Sequence, residues 1–161
     1  LGCIMVINIK SLINIAKEKK IIIATAESCT GGLLAAKITS VAGSSAVFDR
    51  GFITYSNQSK EVMLKVNKKT LIKFGAVSTE VAKEMAINAL IESNANLTLS
   101  ITGVAGPGHS AGKLEGLVCF GWAGTSINAS SELIQFGQIG RYNVRRKSVS
   151  YGIKKLFNLI N

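Results

Sequence analysis

Between Ile21 and Leu34 the chain reads IIIATAESCTGGLL. Three β-branched apolar residues, Ile21 to Ile23, run into a small, polar, glycine-bearing turn. Behind it Leu33, Leu34, Ile38 and Val41 recur at helical spacing. The order is strand, tight turn, helix. Such a turn sets Ser28, Thr30 and the amides of Gly31 and Gly32 at the start of a helix. Unpaired N–H groups point outward there, and the helix dipole favours negative charge. A serine at that point can be a nucleophile with oxyanion donors beside it, or an N-cap, as most serines before helices are. The stretch alone leaves both readings open.

Working outward, the 161 residues suit a single domain, 1–161, large enough to bury a core without metal or disulfide support. Hydrophobic residues at 47% against charged residues at 17% describe a folded globule and exclude a disordered chain. No apolar run approaches the roughly 18 residues of a membrane span, so no membrane partner is expected. Cys3, Cys29 and Cys119 are odd in number and lack metal-ligand spacing, which favours a reducing, cytoplasmic setting over a disulfide scaffold. The Leu-Gly-Cys opening has no apolar segment before it and is not read as a lipoprotein cleavage site. With His109 the only histidine, no metal centre and no cofactor is expected.

Along the chain, Ile9, Leu12, Ile13 and Ala16 mark an amphipathic helix over 8–19. After the Ser28 turn and its helix, Gly43-Ser44-Ser45 breaks the pattern. Phe48 to Tyr55 reads as a second strand, closed by Tyr55-Ser56-Asn57. Two short helices follow over 59–66 and 68–74, the second capped by Asn67 and stopped at Gly75. Ser78 caps a longer one through about Ser93. Leu97 to Ile101 is a third strand, emptying into Thr102-Gly103-Val104-Ala105-Gly106-Pro107-Gly108. Glycines let a backbone approach a ligand closely, so this loop is either an anion-binding nest or a plain turn. It lacks the Lys-Ser/Thr ending of a P-loop. Strands over 117–123 and 132–136 and a helix from about Arg141 complete an α/β fold. Its expected form is an α/β/α sandwich around a mixed, mostly parallel sheet.

The net charge of +10 is mostly scattered lysine, but Arg141, Arg145, Arg146 and Lys147 cluster. The cluster suits nucleic acid or a phosphate-bearing small molecule. It lacks the interleaved aromatics of a single-strand surface, so nucleic acid is the less expected partner. Arg141 and Arg145, four apart, share a helix face near its N-terminus and suit a phosphomonoester. Arg146 and Lys147 point elsewhere.

Four ordered blocks, AESCTGG (26–32), AGSSAVFDRGFITYSNQSK (42–60), GAVS (75–78) and SITGVAGPG (100–108), together resemble the C-terminal domain of the competence/damage-inducible CinA proteins. That domain also occurs as stand-alone nicotinamide-nucleotide amidohydrolases. The resemblance covers almost the whole chain. It implies the same α/β/α sandwich and hydrolysis of the carboxamide of nicotinamide mononucleotide, giving nicotinate mononucleotide and ammonia. It also implies that Ser28 is the nucleophile and Lys60 its base, with Tyr55 lining the same site. The Ser28 turn (Thr30, Gly31, Gly32) and the second glycine loop (Thr102, Gly103, Ala105, Gly106) would hold the nucleotide, and Arg141 and Arg145 its phosphate. A homo-oligomer is expected. One departure is visible: the family commonly has a lysine-proline step where Lys113 is followed by Leu114, so the rim over 109–115 is expected to differ in shape.

Amide hydrolysis needs a base for the serine proton, donors for the oxyanion and a proton for departing ammonia. With no histidine in these motifs a neutral lysine is the available base, so burial or positive charge must lower the pKa of Lys60. Each residue also has a plain reading: Ser28 a cap, Lys60 a surface charge, Tyr55 core. Cys29 is a rival nucleophile without an activating histidine, better read as buried and structural. Glu27 is read as bonding the turn's backbone. A nucleotide-binding module without catalysis, or a DNA-interacting module, are the other function classes to be tested.

Overall fold

The computed structural model describes residues 8–161. Cys3 and the Leu-Gly-Cys opening lie outside them. The strands are β1 (Ile23–Glu27), β2 (Phe48–Ile53), β3 (Leu97–Gly103), β4 (Leu117–Gly124) and β5 (Ile127–Gln135). They form one sheet in the order β2-β1-β3-β4-β5. β1 pairs in parallel with β2 and β3, whereas β4 is antiparallel to both β3 and β5. Four strands therefore run one way and β4 the other. The sheet is mixed as expected, with half of its pairings parallel.

The helices are α1 (Ile9–Glu18), α2 (Leu33–Thr39), α3 (Asn57–Leu64), α4 (Lys68–Phe74), α5 (Thr79–Ile91) and α6 (Arg141–Ile160). α1, α2 and α6 pack on one another over one face; α3, α4 and α5 cover the other. Two apolar cores result. Leu12, Leu34, Ile38, Leu156 and Phe157 meet Ile23, Leu99, Ile101 and Phe120 on the first face. Ala26, Phe52, Leu64, Val81 and Met85 meet on the second.

β1 starts two residues later than the isoleucine run suggests and absorbs Ala24 to Glu27, with every residue buried. A central parallel strand is covered on both faces, so small residues that read as a turn suit it as well as β-branched ones. β5 likewise begins at Ile127, well before Glu132. Close approach of α5 is built into β3 and β4. Thr98 and Ser100 donate to the carbonyls of Ala86 and Ala82, at 2.7 and 2.5 Å, and a methyl at Gly121 would strike the Ala82 carbonyl.

The caps follow the sequence closely. Asn67 and Ser78 accept from Lys69 and Val81 amides, and Gly75 ends α4. Ser56 forms a capping box with Ser59, so α3 starts two residues earlier than expected and carries Lys60 inside its first turns. The chain leaves β1 to reach β2 on one side and crosses back to β3 on the other. A crevice belongs at the carboxyl ends of strands where the connections diverge in this way.

Candidate active site

Side-chain alternation along β1 decides what meets what. Glu27 faces α2, where its carboxylate accepts from the Leu34 and Ala35 amides at 2.9 and 3.0 Å and from the Thr30 and Thr25 hydroxyls. It satisfies the first free amides of a helix whose own N-cap, Gly32, has no side chain to do so. Ser28, the next residue, faces the opposite layer and meets Lys60 from α3. The Lys60 amine lies 3.0 Å from Ser28 Oγ and donates to the Thr54 carbonyl at 2.8 Å. Ser28 is therefore not the helix cap.

Lys60 is 1% exposed, one of the largest fully buried side chains among the described residues. Burial pushes its amine down from the usual 10.5 to about 8. About a tenth of the amine is then neutral at pH 7, against well under a thousandth for an ordinary lysine, as a general base needs. Cys29 goes the other way: buried and desolvated, its thiol is pushed up to about 12, which keeps it protonated and unreactive.

The Ser28 turn is held from outside by Arg145, whose guanidinium donates to the carbonyls of Cys29 (3.2 Å) and Thr30 (3.1 Å). The Ser28 amide bonds Ile101 on β3, and the Gly31 amide is taken by Ser28's own carbonyl. Gly31 is thus not free to bind an oxyanion, whereas the amides of Thr30 and Gly32 donate to no acceptor among the described residues. Gly31 and Gly32 both have positive φ, at 59° and 94°.

Other residues singled out in the sequence separate into two groups. Tyr55 alternates away from Thr54, stands 60% exposed and accepts from Arg141 through its hydroxyl at 2.9 Å. Arg141 also donates to the Gly106 carbonyl at 2.9 Å, which joins Tyr55, α6 and the second glycine loop at one mouth. Tyr55 makes no hydrogen bond to Ser28 or Lys60. Thr30, Thr102, Gly103 and Ala105 serve the fold in this state. The Thr102 hydroxyl bonds the Ala76 carbonyl, Gly103 has β4 backbone against it, and Ala105 is buried in the first core. Arg146 and Lys147 are exposed along a groove of about 850 Å³ between α2 and α6, outside the Ser28–Lys60 contact.

Three features escaped the sequence reading. Thr54, fully buried, supplies the second partner of Lys60. Glu115, also buried, accepts from the Gly108 and Gly140 amides at 2.9 and 2.8 Å and so ties the second glycine loop to the start of α6. Ile53 and Leu33 are half-exposed apolar residues flanking Gly32. A buried glutamate four residues upstream of no cation leaves no local signal; only the tertiary contact reveals it. Over 109–115, Lys113 bonds the Phe74 and Val77 carbonyls, and Leu114 is left largely exposed.

Known proteins share this sequence and fold. Residues 8–160 match the family described as the CinA C-terminal domain. Nicotinamide-nucleotide amidohydrolase PncC of Shigella flexneri is 44% identical over 145 residues, 88% of this chain and 86% of that protein. Its namesake from Enterobacter agglomerans is 55% identical over 100 residues, 62% of this chain and 61% of that protein. The chain spans only about a third of longer relatives named putative competence-damage inducible proteins. A crystal structure of the competence/damage inducible protein CihA from Agrobacterium tumefaciens superposes with a TM-score of 0.91 at 39% identity, covering 100% of both chains.

Proposed function

The chain belongs to the CinA C-terminal domain family, and from that premise we propose that it is a nicotinamide-nucleotide amidohydrolase working through Ser28 and Lys60. One observation carries the reading: a buried lysine amine, lowered to about 8, sits 3.0 Å from the hydroxyl of a serine at the crevice of the sheet. Neutral Lys60 takes the Ser28 proton as Oγ attacks the carboxamide carbon. The free amides of Thr30 and Gly32 are the donors we assign to the tetrahedral oxyanion. The Lys60 ammonium then gives its proton to the departing nitrogen, and ammonia leaves. Water, deprotonated by Lys60, attacks the acyl-Ser28 carbon. The carboxylate leaves as Ser28 regains its proton.

Substrate binding is assigned to the mouth. A guanidinium has five N–H donors, and Arg141 and Arg145 each use two of them on the protein. The remaining donors, on one face at the start of α6, suit the phosphomonoester of nicotinamide mononucleotide, with Tyr55 and the Gly106 loop beside them. Incubation with nicotinamide mononucleotide tests the reading. Ammonia and nicotinate mononucleotide should form in equal amounts with the parent and not with Ser28→Ala. A parent protein that binds the nucleotide but releases no ammonia would be a binding module instead.

A further inference from the structure

Among the described residues, Thr54 Oγ1 is the one buried side-chain oxygen or nitrogen without a hydrogen-bond partner. Leaving such a group unpaired costs about 1–3 kcal/mol, so its position calls for a reason. It belongs to the residue whose carbonyl accepts from Lys60 at 2.8 Å. Covalent geometry keeps a threonine hydroxyl within roughly 4.5 Å of its own carbonyl oxygen. Alternation along β2 sends the Thr54 side chain to the same face as Phe52, which packs with Leu64 of α3. Lys60 and Leu64, four apart on α3, are buried together. Phe52 and Leu64 share one apolar core, with Thr54 two residues after Phe52, just past β2, and Lys60 one helical turn before Leu64.

Counting donors sharpens this. An ammonium has three N–H groups. In Lys60 one is directed at Ser28 Oγ and one at the Thr54 carbonyl. No acceptor among the described residues takes the third, and the one unpaired buried side-chain acceptor among them is on Thr54 itself. We propose that the Thr54 hydroxyl is a positioning group for the Lys60 amine, accepting the third N–H of the ammonium formed when Lys60 takes the Ser28 proton. This role rests on the amidohydrolase reading.

The ionisable groups around Lys60 are few. From the turn after β1 comes the Cys29 thiol, and from the end of β1 Glu27, whose carboxylate is occupied by α2 amides and two threonines. From α6 comes Arg145, bonded to carbonyls of that turn. The layer beneath α3 contributes apolar Val81 and Met85 from α5.

The test is an NMR titration of the Lys60 side-chain nuclei, beside pH–rate profiles, in the parent, Thr54→Val and Thr54→Ser. Valine keeps the shape and loses only the hydroxyl. The Lys60 midpoint should fall by roughly 0.5–1 pH unit in Thr54→Val, because the charged form loses an acceptor. The turnover number should fall about tenfold with little change in KM, and melting temperature should hold or rise. Thr54→Ser should restore both midpoint and turnover. A Lys60 midpoint in Thr54→Val equal to the parent's would overturn the proposal, as would a serine variant that rescues nothing. Should the valine variant not fold, Thr54→Ala reads the same midpoint. If no protein releases ammonia, the amidohydrolase reading fails, while the titration still decides the role of Thr54.

Discussion

Two glycine-rich connections leave parallel strands side by side, the turn after β1 and the loop after β3, and they are built to opposite ends. In the turn after β1 the backbone is fastened on every side: by Glu27 within, by Arg145 without, by Ile101 across. The Ser28 hydroxyl is set there against a buried amine. In the loop after β3 the hydroxyl of Thr102 is spent on Ala76, and the backbone is clamped by Glu115 and Arg141. The carboxylate that meets that loop, Glu115, is taken up by the Gly108 and Gly140 amides. Glycine lets both backbones turn, but a reactive group arises where a rigid turn meets a desolvated partner.

The widest way to break this comparison is to remove the reactive pair. Ser28→Ala should lower amidase turnover by about a thousandfold or more, and Lys60→Arg should be nearly as damaging because arginine stays protonated. Both should fold. An arginine variant with substantial turnover would exclude Lys60 as the base.

Next comes the clamp on the second loop. Gly106 has φ 90°, and a methyl group there would overlap the Glu115 carboxylate. Gly106→Ala should cost about 2–4 kcal/mol in a denaturant melt. Gly108→Ala shares a positive φ with open space around it, so it should cost less. Equal losses would mean that backbone strain alone, and not the Glu115 clamp, sets the loop.

Arg141 ties the second loop to Tyr55. Arg141→Ala should lower kcat/KM for nicotinamide mononucleotide about ten- to hundredfold, equivalent to roughly 1.5–3 kcal/mol, mostly through KM. Nicotinamide riboside, lacking the phosphate, should be a poor substrate and lose little further in the variant. Equal losses on both substrates would show that Arg141 holds the mouth together and does not read phosphate.

A smaller effect tests the desolvated amine directly. With Lys60 at about 8 in the fold and 10.5 as its ordinary value, the unfolded chain binds more protons between those pH values. Parent stability should therefore gain a rising contribution from pH 8 to 10.5 that Lys60→Met lacks, and the variant should be about 1–3 kcal/mol more stable near pH 7. The parent's rate should climb through about pH 8 as the free amine forms. A flat stability difference across that window would mean that Lys60 is not desolvated. Smallest of all, Cys29→Ala should keep turnover within a few-fold of the parent, since the thiol stays protonated up to about pH 12.

Periodicity, caps and glycine punctuation carried most of the fold without help. The helix limits at Asn67, Gly75 and Ser78 are local hydrogen-bond chemistry, and local chemistry is written in neighbouring residues. The resemblance of four motifs likewise pointed to Ser28 and Lys60. Other outcomes depended on what lay across the sheet. Ala24 to Glu27 became strand because helices cover both faces of β1. Of the two readings open for Ser28, the cap fails because alternation points the side chain at Lys60 of α3 and not at α2. Lys60 became fully buried although lysines are usually solvated. Arg145 and Glu115 found acceptors and donors far away in the chain. Sequence sets which groups exist and which turns they favour. Desolvation and long-range pairing arise only when layers close over them, and burial of that kind lowers the pKa of an ordinary lysine.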